Sequence, residues 1–345
     1  MKISSVEDII SNSSPQFIEK LLVDTKNRIN FVTFPTINKV WLIRRPHSQV
    51  YRLELNQCNS EYFYIFIKFP IVNPKNRQVA ISRLEKEYEI MAFLSKDNDL
   101  NQHGVAVPLA LYPELPALVT IGVQGKTLGE LYVKNLRLTG IFSKKNSIKR
   151  NVQLCAQWLN KFQSNTFQGN QIYQYEDDIK YIEQRLIVLK TQEPEYYTSV
   201  LIEKTIKKIS SMYSELYHRK HPIVGRHNDF TSHNIITTEN GVKVIDFTMF
   251  DHGSITDDAC RFWFELEMLK LDPTYNSQAV TDLQKVFLNS YQSLDSNDPL
   301  FVLACIRHVV LKLVEALGQN RGWGFNSWYW RRVERTCRDR LSEIK

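Results

Sequence analysis

Two carboxylates, an amide and a histidine lie close together in the sequence, in an arrangement suited to phosphate chemistry. The segment 227–234 reads His-Asn-Asp-Phe-Thr-Ser-His-Asn, and Asp246 follows within Ile-Asp-Phe. Carboxylate and amide oxygens suit Mg²⁺, which takes its remaining ligands from water and substrate phosphates. Phosphoryl transfer requires metal ions that neutralise charge and a base that orients the attacking hydroxyl. The spacing therefore predicts Asp229 as the base, with Asn234 and Asp246 as metal ligands.

A β-hairpin is predicted to bring the two metal ligands together. Asn240-Gly241 is a strong signal for a tight turn between two strands. With these two residues as the turn, position 239 pairs with 242, and Asn234 and Asp246 lie at the same end of the hairpin, one step from direct opposition. The alternative is that Asp229 and Asn234 only cap turns, which both residue types do readily. The hairpin and the second carboxylate disfavour that alternative.

A buried lysine–glutamate pair is predicted upstream of this segment. Lys68 lies inside an apolar strand, where a charge is costly unless it is paired. The pattern of residues 81–94 predicts a helix, and at about 100° per residue Glu87 falls on its apolar stripe, whereas Glu85 and Glu89 point away. We therefore expect Glu87 to pair with Lys68. The alternative is a lysine that extends to solvent and a glutamate at the edge of the stripe.

The elements that must position these groups change in character along the chain. Residues 5–25 have a helical pattern, and strand-like segments rich in β-branched and aromatic residues fill 40–70 and 118–123. Beyond Gly125 helical patterns dominate, at 148–163, 175–191, 198–219, 258–271, 278–293 and 299–317. The sequence thus predicts an α+β protein. Residues 1–122 form a small, antiparallel, β-rich N-terminal lobe, and residues 123–345 form a larger, mainly α-helical C-terminal lobe.

Composition and charge bound the class of protein. The 345 residues are 43% hydrophobic and carry a net charge of +7, which fits a large folded interior and an anionic ligand. Basic residues are not concentrated in a stripe, and the run 204–208 is interpreted as a solvated helix face, so we expect no nucleic-acid partner. The five cysteines include no Cys-x-x-Cys pair, the longest apolar run is too short for a bilayer, and the first residues lack a secretory signal. We expect a cytoplasmic protein without a membrane span.

The pattern His-x-Asp-x-x-x-x-Asn followed by Ile-Asp-Phe resembles that of the aminoglycoside phosphotransferase and choline kinase family, which is related to the protein kinases. The resemblance implies a two-lobed, protein kinase-like fold. It gives Asp229 the role of catalytic base, and Asn234 and Asp246 the role of holding Mg²⁺. His227 matches a residue that shapes the catalytic loop, and Asp257, within Asp-Asp-Ala, matches a structural aspartate of the family.

The resemblance extends to the predicted N-terminal lobe. Ser48 begins Ser-Gln-Val-Tyr-Arg, which resembles the family's nucleotide loop but contains no glycine. The segment that contains Ile121 and Val123 resembles the hinge, where main-chain groups near these two residues would bind adenine. Lys68 would bind the nucleotide phosphates, and Glu87 would hold Lys68 in place.

The resemblance covers roughly residues 40–265 and implies an Mg²⁺-dependent phosphotransferase that uses ATP, with GTP left open. Its partners would be the nucleotide and a small hydroxylated acceptor, such as a sugar, an amino sugar, an aminoglycoside or an amino alcohol. The acceptor pocket is expected within 165–220 and the C-terminal helices, where the acidic residues 176–178 either receive a cationic amine or simply begin a helix. Two alternatives stay open: a catalytically silent nucleotide-binding module and, less favoured, a protein kinase, which would carry a lysine at Thr231.

Overall fold

The computed structural model describes residues 2–10, 14–31, 33–56, 62–96, 104–137, 145–172, 176–214, 216, 219–291, 297–319 and 324–342. The described strands are β1 (Lys2–Ser4), β2 (Thr36–Arg44), β3 (Ser48–Asn56), β4 (Tyr62–Pro70), β5 (Pro108–Tyr112), β6 (Ala117–Ile121), β7 (Lys126–Thr127), β8 (Gly169–Ile172), β9 (Lys220–Arg226), β10 (Ile235–Thr238), β11 (Gly241–Val244) and β12 (Asp251–Ser254). The described helices are α1 (Val6–Ile10), α2 (Pro15–Ile29), α3 (Arg77–Leu94), α4 (Leu128–Asn135), α5 (Lys145–Asn165), α6 (Glu176–Gln192), α7 (Ser199–Ser214), α8 (Asp257–Leu269), α9 (Ser277–Ser290), α10 (Pro299–Gly318) and α11 (Phe325–Ser342).

The chain divides into two compact units. The first unit comprises Met1–Lys126 together with Asn234–Phe250, and the second comprises Thr127–His233 together with Asp251–Lys345. The division predicted from the sequence was contiguous, whereas here the β10–β11 hairpin groups with the first unit.

A main-chain contact explains why this hairpin belongs to the first unit. The Val244 N–H donates a hydrogen bond of 2.9 Å to the Gly104 carbonyl. Val105 and Val244 also form a parallel β-bridge, and both side chains are fully buried. Burial of two valines and closure of a main-chain hydrogen bond hold the hairpin to residues that lie far away in the sequence.

The first unit is built on a six-stranded antiparallel sheet with the order β1-β2-β3-β4-β6-β5. Side chains alternate between its two faces. Leu53, Ile65 and Ile67 face a hydrophobic core that Phe17 and Leu21 of α2 complete. Lys68, one position after Ile67, therefore lies on the opposite face, where it pairs in register with Val50 of β3 and Leu118 of β6.

The predicted single helix over 5–25 is wrong, because two helices occupy this region. The Ser14 side chain accepts a hydrogen bond from the Phe17 N–H and caps the start of α2. Pro15 follows at the first helical position, where its missing N–H costs nothing. The same proline could not continue a helix that began at residue 5.

The second unit is mainly helical. Its core combines residues of α6, α7, α8, α10 and α11, among them Leu186, Ile209, Phe264, Val310 and Val333. It also contains a three-stranded antiparallel sheet with the order β12-β9-β8, which the sequence did not predict. The predicted helix over 198–219 ends earlier, at Ser214, and the chain enters β9 at Lys220. Among the described helices, none is long and apolar enough to cross a membrane.

Candidate active site

Three side chains of the first unit converge on Lys68. The Lys68 Nζ lies 2.9 and 3.0 Å from the two carboxylate oxygens of Glu87, and 2.7 Å from Asp246 Oδ1. The Thr248 hydroxyl contacts all three partners, at 2.5 Å from Lys68 Nζ, 3.0 Å from Glu87 and 2.5 Å from Asp246. We call these four residues the Lys68 cluster. They come from β4, from α3 and from the segment that follows β11.

The Lys68 cluster holds one cation against two carboxylates. The side chains of Lys68 and Glu87 are 16% and 3% exposed, whereas Asp246 is 45% exposed. Burial raises the pKa of Glu87, and the nearby Asp246 raises it further, although Lys68 acts in the opposite direction. Burial lowers the pKa of Lys68, but Glu87 and Asp246 together outweigh this effect, so that the net direction is upward. Lys68 therefore stays cationic, and the cluster can accept additional positive charge on its exposed side.

The β10–β11 hairpin has a register different from the one predicted. Thr238 pairs with Gly241, so the turn consists of Glu239 and Asn240 rather than Asn240-Gly241. The predicted turn type requires positive φ at both central residues. Within the described ranges, Gly241 has a φ of +154°, while neither Glu239 nor Asn240 has a positive φ. Gly241 therefore opens the second strand instead of forming the turn.

The corrected register still places Asn234 next to Asp246. The Ile245 N–H donates a hydrogen bond of 3.0 Å to the Asn234 carbonyl, which leaves Asp246 one residue beyond that pair. Asn234 is buried, and Asp246 adopts a left-handed backbone conformation with a φ of +69°. The chain thus brings one amide and one carboxylate together at the end of the hairpin. These are oxygen donors of the kind that Mg²⁺ prefers.

Two further residues predicted to contact the nucleotide, Ser48 and Ile121, lie on the same sheet, and Val123 follows its strand β6. Ser48 is buried at the start of β3, and its carbonyl accepts a hydrogen bond of 2.9 Å from the Arg45 N–H. Ile121 ends β6, and its N–H donates to the Val107 carbonyl at 2.8 Å. The next N–H, that of Gly122, donates to the Tyr64 carbonyl. Val123 follows these two engaged positions and is half-buried.

In the second unit, Asp229 lies on a loop that follows β9. We call residues 227–233 the Asp229 loop. The Asp229 carboxylate is 45% exposed and accepts a hydrogen bond of 3.1 Å from the Arg261 guanidinium. The Asp229 N–H donates to Nδ1 of His227, which is fully buried, at 3.3 Å. His227 also packs edge-on against Phe230. His227 thus contacts two other residues of the Asp229 loop.

One stripe of helix α8 holds the Asp229 loop. Asp258 accepts hydrogen bonds from the His227 N–H at 2.6 Å and from the Asn228 N–H at 2.8 Å. Arg261 contacts Asp229, and Glu265 accepts from the N–H and the hydroxyl of Ser232 at 2.8 and 2.7 Å. These three side chains follow one another at spacings of three and four residues, which places them on one face of the helix.

The sequence reasoning did not identify Asp258, Arg261 or Glu265 as parts of the site. A signal was present, because Asp258, Arg261 and Glu265 recur at helical spacing in a helix whose other residues are mostly apolar, Asp-Asp-Ala-Cys-Arg-Phe-Trp-Phe-Glu. The fully buried carboxylate of Asp258 accepts hydrogen bonds from two main-chain N–H groups. Burial raises its pKa to about 7, although the hydrogen bonds from the main chain of the loop act in the opposite direction.

Asp257, the expected structural aspartate, lies in a chain of alternating charges. It contacts the Arg226 guanidinium and, at 3.4 Å, that of Arg307. Arg226 also donates two hydrogen bonds of 2.8 Å to Asp251, which in turn accepts from the Asn228 side chain at 2.7 Å. Asp257 therefore connects α8, β9 and α10 through partly buried ion pairs.

The acidic segment 176–178 does not offer all of its carboxylates to a ligand. Asp178 is 13% exposed and forms an ion pair of 3.0 Å with Arg307. Glu176 and Asp177 are exposed in the first turn of α6, where negative charge interacts favourably with the helix dipole.

Across the described residues, no group of three or more His, Cys, Asp and Glu side chains could hold a metal ion. A site with one carboxylate and one amide is of a different kind, because Mg²⁺ completes its ligands with phosphates and water.

Comparison with solved structures identifies the fold. The chain is similar to APH(2")-IIa in its streptomycin–ATP ternary complex, with 15% identity over 93% of this chain and 96% of that chain and a TM-score of 0.52. It is similar to a thermostable mutant of aminoglycoside phosphotransferase APH(4)-Ia in its apo form, with 12% identity over 92% and 98% of the two chains and a TM-score of 0.54. It is also similar to the amicoumacin kinase hAmiN in complex with AMP-PNP, Ca²⁺ and Ami, with 11% identity over 96% of each chain and a TM-score of 0.54.

No protein-family model matches the chain, and no curated protein matches it in sequence. At these identities the structural similarity establishes the fold alone. The predicted α+β, protein kinase-like fold, with an antiparallel sheet in the N-terminal part and helices in the C-terminal part, is confirmed.

Proposed function

We propose that this protein transfers the γ-phosphate of a nucleoside triphosphate to a hydroxyl group of a small molecule. The observation that carries the proposal is the Lys68 cluster, in which the ammonium group of a strand lysine lies within 3.0 Å of a helix glutamate and of a carboxylate that follows a hairpin. A buried ion pair of this kind is a costly way to stabilise a fold. Enzymes that transfer phosphoryl groups use such a pair to clamp nucleotide phosphates.

Each residue of the first unit has a proposed task. Lys68 binds the nucleotide phosphates, and Glu87 holds the ammonium group in position. Asn234 and Asp246 are the proposed Mg²⁺ ligands, and the half-exposed Asp246 carboxylate together with the excess negative charge of the cluster supports this fit. The ion, when bound, would neutralise the charge that develops on the transferred phosphate. Lys68 contacts Asp246 directly, so a bound ion and the nucleotide phosphates would compete with that contact.

The nucleotide base is proposed to bind at the end of β6. The N–H groups of Ile121 and Gly122 donate to the carbonyls of Val107 and Tyr64, so they are engaged before a ligand arrives. Val123 is therefore the proposed main-chain contact for a purine. Ser48, at the start of β3, is proposed to border the phosphates. These contacts suit ATP, and GTP is the competing nucleotide that a binding assay should include.

Asp229 is the proposed base, and α8 keeps its carboxylate in place. Arg261 fixes one carboxylate oxygen, and the Asp258 and His227 contacts fix the backbone on the N-terminal side of Asp229. Orientation of an acceptor hydroxyl requires a carboxylate of defined position that remains accessible, and its 45% exposure meets that condition. The proposed acceptor is a sugar, an amino sugar, an aminoglycoside or an amino alcohol.

The decisive experiment compares Asp229→Asn with the wild type. Consumption of ATP is first screened against a panel of sugars, amino sugars, aminoglycosides and amino alcohols, and the best acceptor is then used with both proteins. We expect Asp229→Asn to lower transfer by at least about 100-fold while the dissociation constant for ATP stays unchanged. Asp282→Asn, a surface change in the same unit, is the matched control and should transfer at the wild-type rate. Undiminished transfer by Asp229→Asn would show that the proposed base is wrong.

A catalytically silent nucleotide-binding module is the second candidate. One observation favours it: Lys68 and Asp246 neutralise each other at 2.7 Å, so the proposed phosphate and metal contacts compete with an existing ion pair. In that case ATP would bind with or without Mg²⁺, and no acceptor of the panel would stimulate its consumption. Turnover that depends on both Mg²⁺ and an acceptor would exclude this candidate.

A further inference from the structure

Two cysteines of the second unit have their sulfur atoms in contact. Cys260 belongs to α8 and Cys305 to α10, and their Sγ atoms lie 2.9 Å apart. Cys260 is fully buried beside Phe301 and Ala304, with Trp263 packed against the same cluster. Cys305 is partly exposed. Formation of a disulfide would shorten the separation to about 2.0 Å, which requires less than about 1 Å of relative movement between the two helices.

The other cysteines serve as internal references. Cys155 and Cys337 are described and buried, and burial raises the pKa of both thiols. Neither has a sulfur atom within contact distance among the described residues. Cys58 lies outside the described residues. Within the described part of the chain, only the Cys260–Cys305 pair thus combines two adjacent thiols with access from solvent.

The position of Cys260 relates the thiol pair to the Asp229 loop. Asp258, Arg261 and Glu265 contact the loop from one face of α8. At about 100° per residue, Cys260 lies roughly 160° away from Asp258, 140° from Glu265 and 100° from Arg261. The helix therefore contacts the Asp229 loop with one face and α10 with the other, and a covalent bond at Cys260 would fix the element that positions the loop.

We propose that Cys260 and Cys305 form a modification site, at which a peroxide oxidises the two thiols reversibly to a disulfide that ties α8 to α10. The Cys305 sulfur attacks one oxygen of hydrogen peroxide, which gives a sulfenic acid and releases one water molecule. The Cys260 sulfur then attacks the Cys305 sulfur, and the departing hydroxide takes up the Cys260 proton as a second water molecule. Two thiols and one peroxide become one disulfide and two waters.

The assignment of the two roles follows from burial. Cys305 meets the peroxide because it is the exposed partner. Burial raises the pKa of the Cys260 thiol well above its usual range, and the contact with Cys305 adds to this effect. Cys260 is thus a poor first nucleophile but is held next to the sulfenic acid that it resolves. The chemistry is independent of the proposed phosphotransferase activity.

Oxidation of the full-length protein tests the proposal by mass. After treatment with hydrogen peroxide, the intact protein should lose about 2 Da, and tryptic digestion without reductant should join peptide 244–261 to peptide 286–307. The melting temperature should rise by several degrees, because the bond closes a loop of more than forty residues. Dithiothreitol should reverse both changes.

Two variants separate the proposal from other thiol chemistry. Cys305→Ser should show neither the joined peptides nor the rise in melting temperature. Cys337→Ala, which removes a buried thiol of the same unit, should show both. The proposal is overturned if Cys305 gains about 32 Da as a sulfinic acid while Cys260 remains a thiol, or if the joined peptides form without a change in melting temperature.

Discussion

Replacement of Asp258 by asparagine tests whether a buried carboxylate holds the Asp229 loop. Asp258 is fully buried, and its two oxygens accept one main-chain N–H each, from His227 and Asn228. Asparagine has nearly the same shape but only one acceptor oxygen, so its amide group would face an N–H donor. One main-chain donor then loses its partner in a buried position, which costs about 1–3 kcal/mol.

The cost depends on pH, because burial raises the pKa of Asp258 to about 7 from a usual value near 3.8. Between these values the folded protein holds a proton that the unfolded chain has lost. The resulting stability is fully present below about pH 4 and is lost as the pH rises through about 7. Between pH 5 and about 7, the folded protein binds one more proton at Asp258 than the unfolded chain does. Over these two pH units the free energy of unfolding therefore falls by about 2–3 kcal/mol. The wild type should therefore be more stable than Asp258→Asn at pH 5, and the difference should shrink to about zero or reverse at pH 8.

The measurement is the free energy of unfolding in urea for both proteins at pH 5, 6, 7 and 8. The difference between the two proteins isolates Asp258 from other groups that titrate in this range. His308 is one such group, since burial lowers its pKa and makes its own contribution to stability increase with pH. Curves that run parallel from pH 5 to pH 8 would refute the reasoning, because they would mean that Asp258 has the same charge in the folded and unfolded chains.

Three further substitutions have expected outcomes. Lys68→Met should lower the free energy of unfolding by about 3–5 kcal/mol by leaving buried Glu87 without its cation, and urea unfolding of the double variant Lys68→Met with Glu87→Met should recover part of that loss. Gly253→Ala should lower the melting temperature, because a Cβ there would lie 2.4 Å from the guanidinium carbon of Arg226, which ion pairs hold in place. Arg261→Gln should lower kcat at least about 10-fold with an unchanged KM for ATP, and Arg261→Lys should retain part of the wild-type kcat. A rise in the KM for ATP as large as the fall in kcat would contradict a positioning role.

The Lys68–Glu87 contact could be predicted from sequence because burial leaves few choices. A charge inside an apolar strand requires a partner, and helix periodicity leaves one glutamate of three on the buried stripe. The structure places the two groups 2.9 Å apart. Local pattern was sufficient here, since each residue's face is fixed by the period of its own element.

The hairpin register was harder, because turn chemistry depends on backbone conformation. Asn240-Gly241 suits a turn with two positive φ values, but it also suits a turn one residue earlier in which the glycine alone takes the unusual conformation. The structure adopts the second arrangement, with Thr238 opposite Gly241. Asn234 remains next to Asp246 in either register, which is why the predicted pairing of ligands did not depend on the turn.

The scaffold behind Asp229 could not be assigned from sequence alone. Asp257 and Asp258 are adjacent, and their side chains point about 100° apart on the helix. Which of them meets the loop depends on how α8 packs, and α8 is tied through the Arg226–Asp257 ion pair to β9, which pairs with β12; neither strand has an alternating apolar pattern. Pattern reasoning does not find such strands, because their hydrogen-bonding partners, and not their side chains, define them.

Backbone conformation supplies an independent observation in favour of the two proposed sites. Among the described residues, three that are not glycine have a positive φ: Asn30, Asn228 and Asp246. Asn30 ends helix α2, where this conformation is common. Asn228 and Asp246 have no such explanation, and each is fixed by charged groups, through the carboxylate of Asp258 in one case and the ammonium of Lys68 in the other. A conformation that costs about 1–3 kcal/mol persists only where its surroundings enforce it, and in each unit a charged side chain holds one such residue at a proposed site.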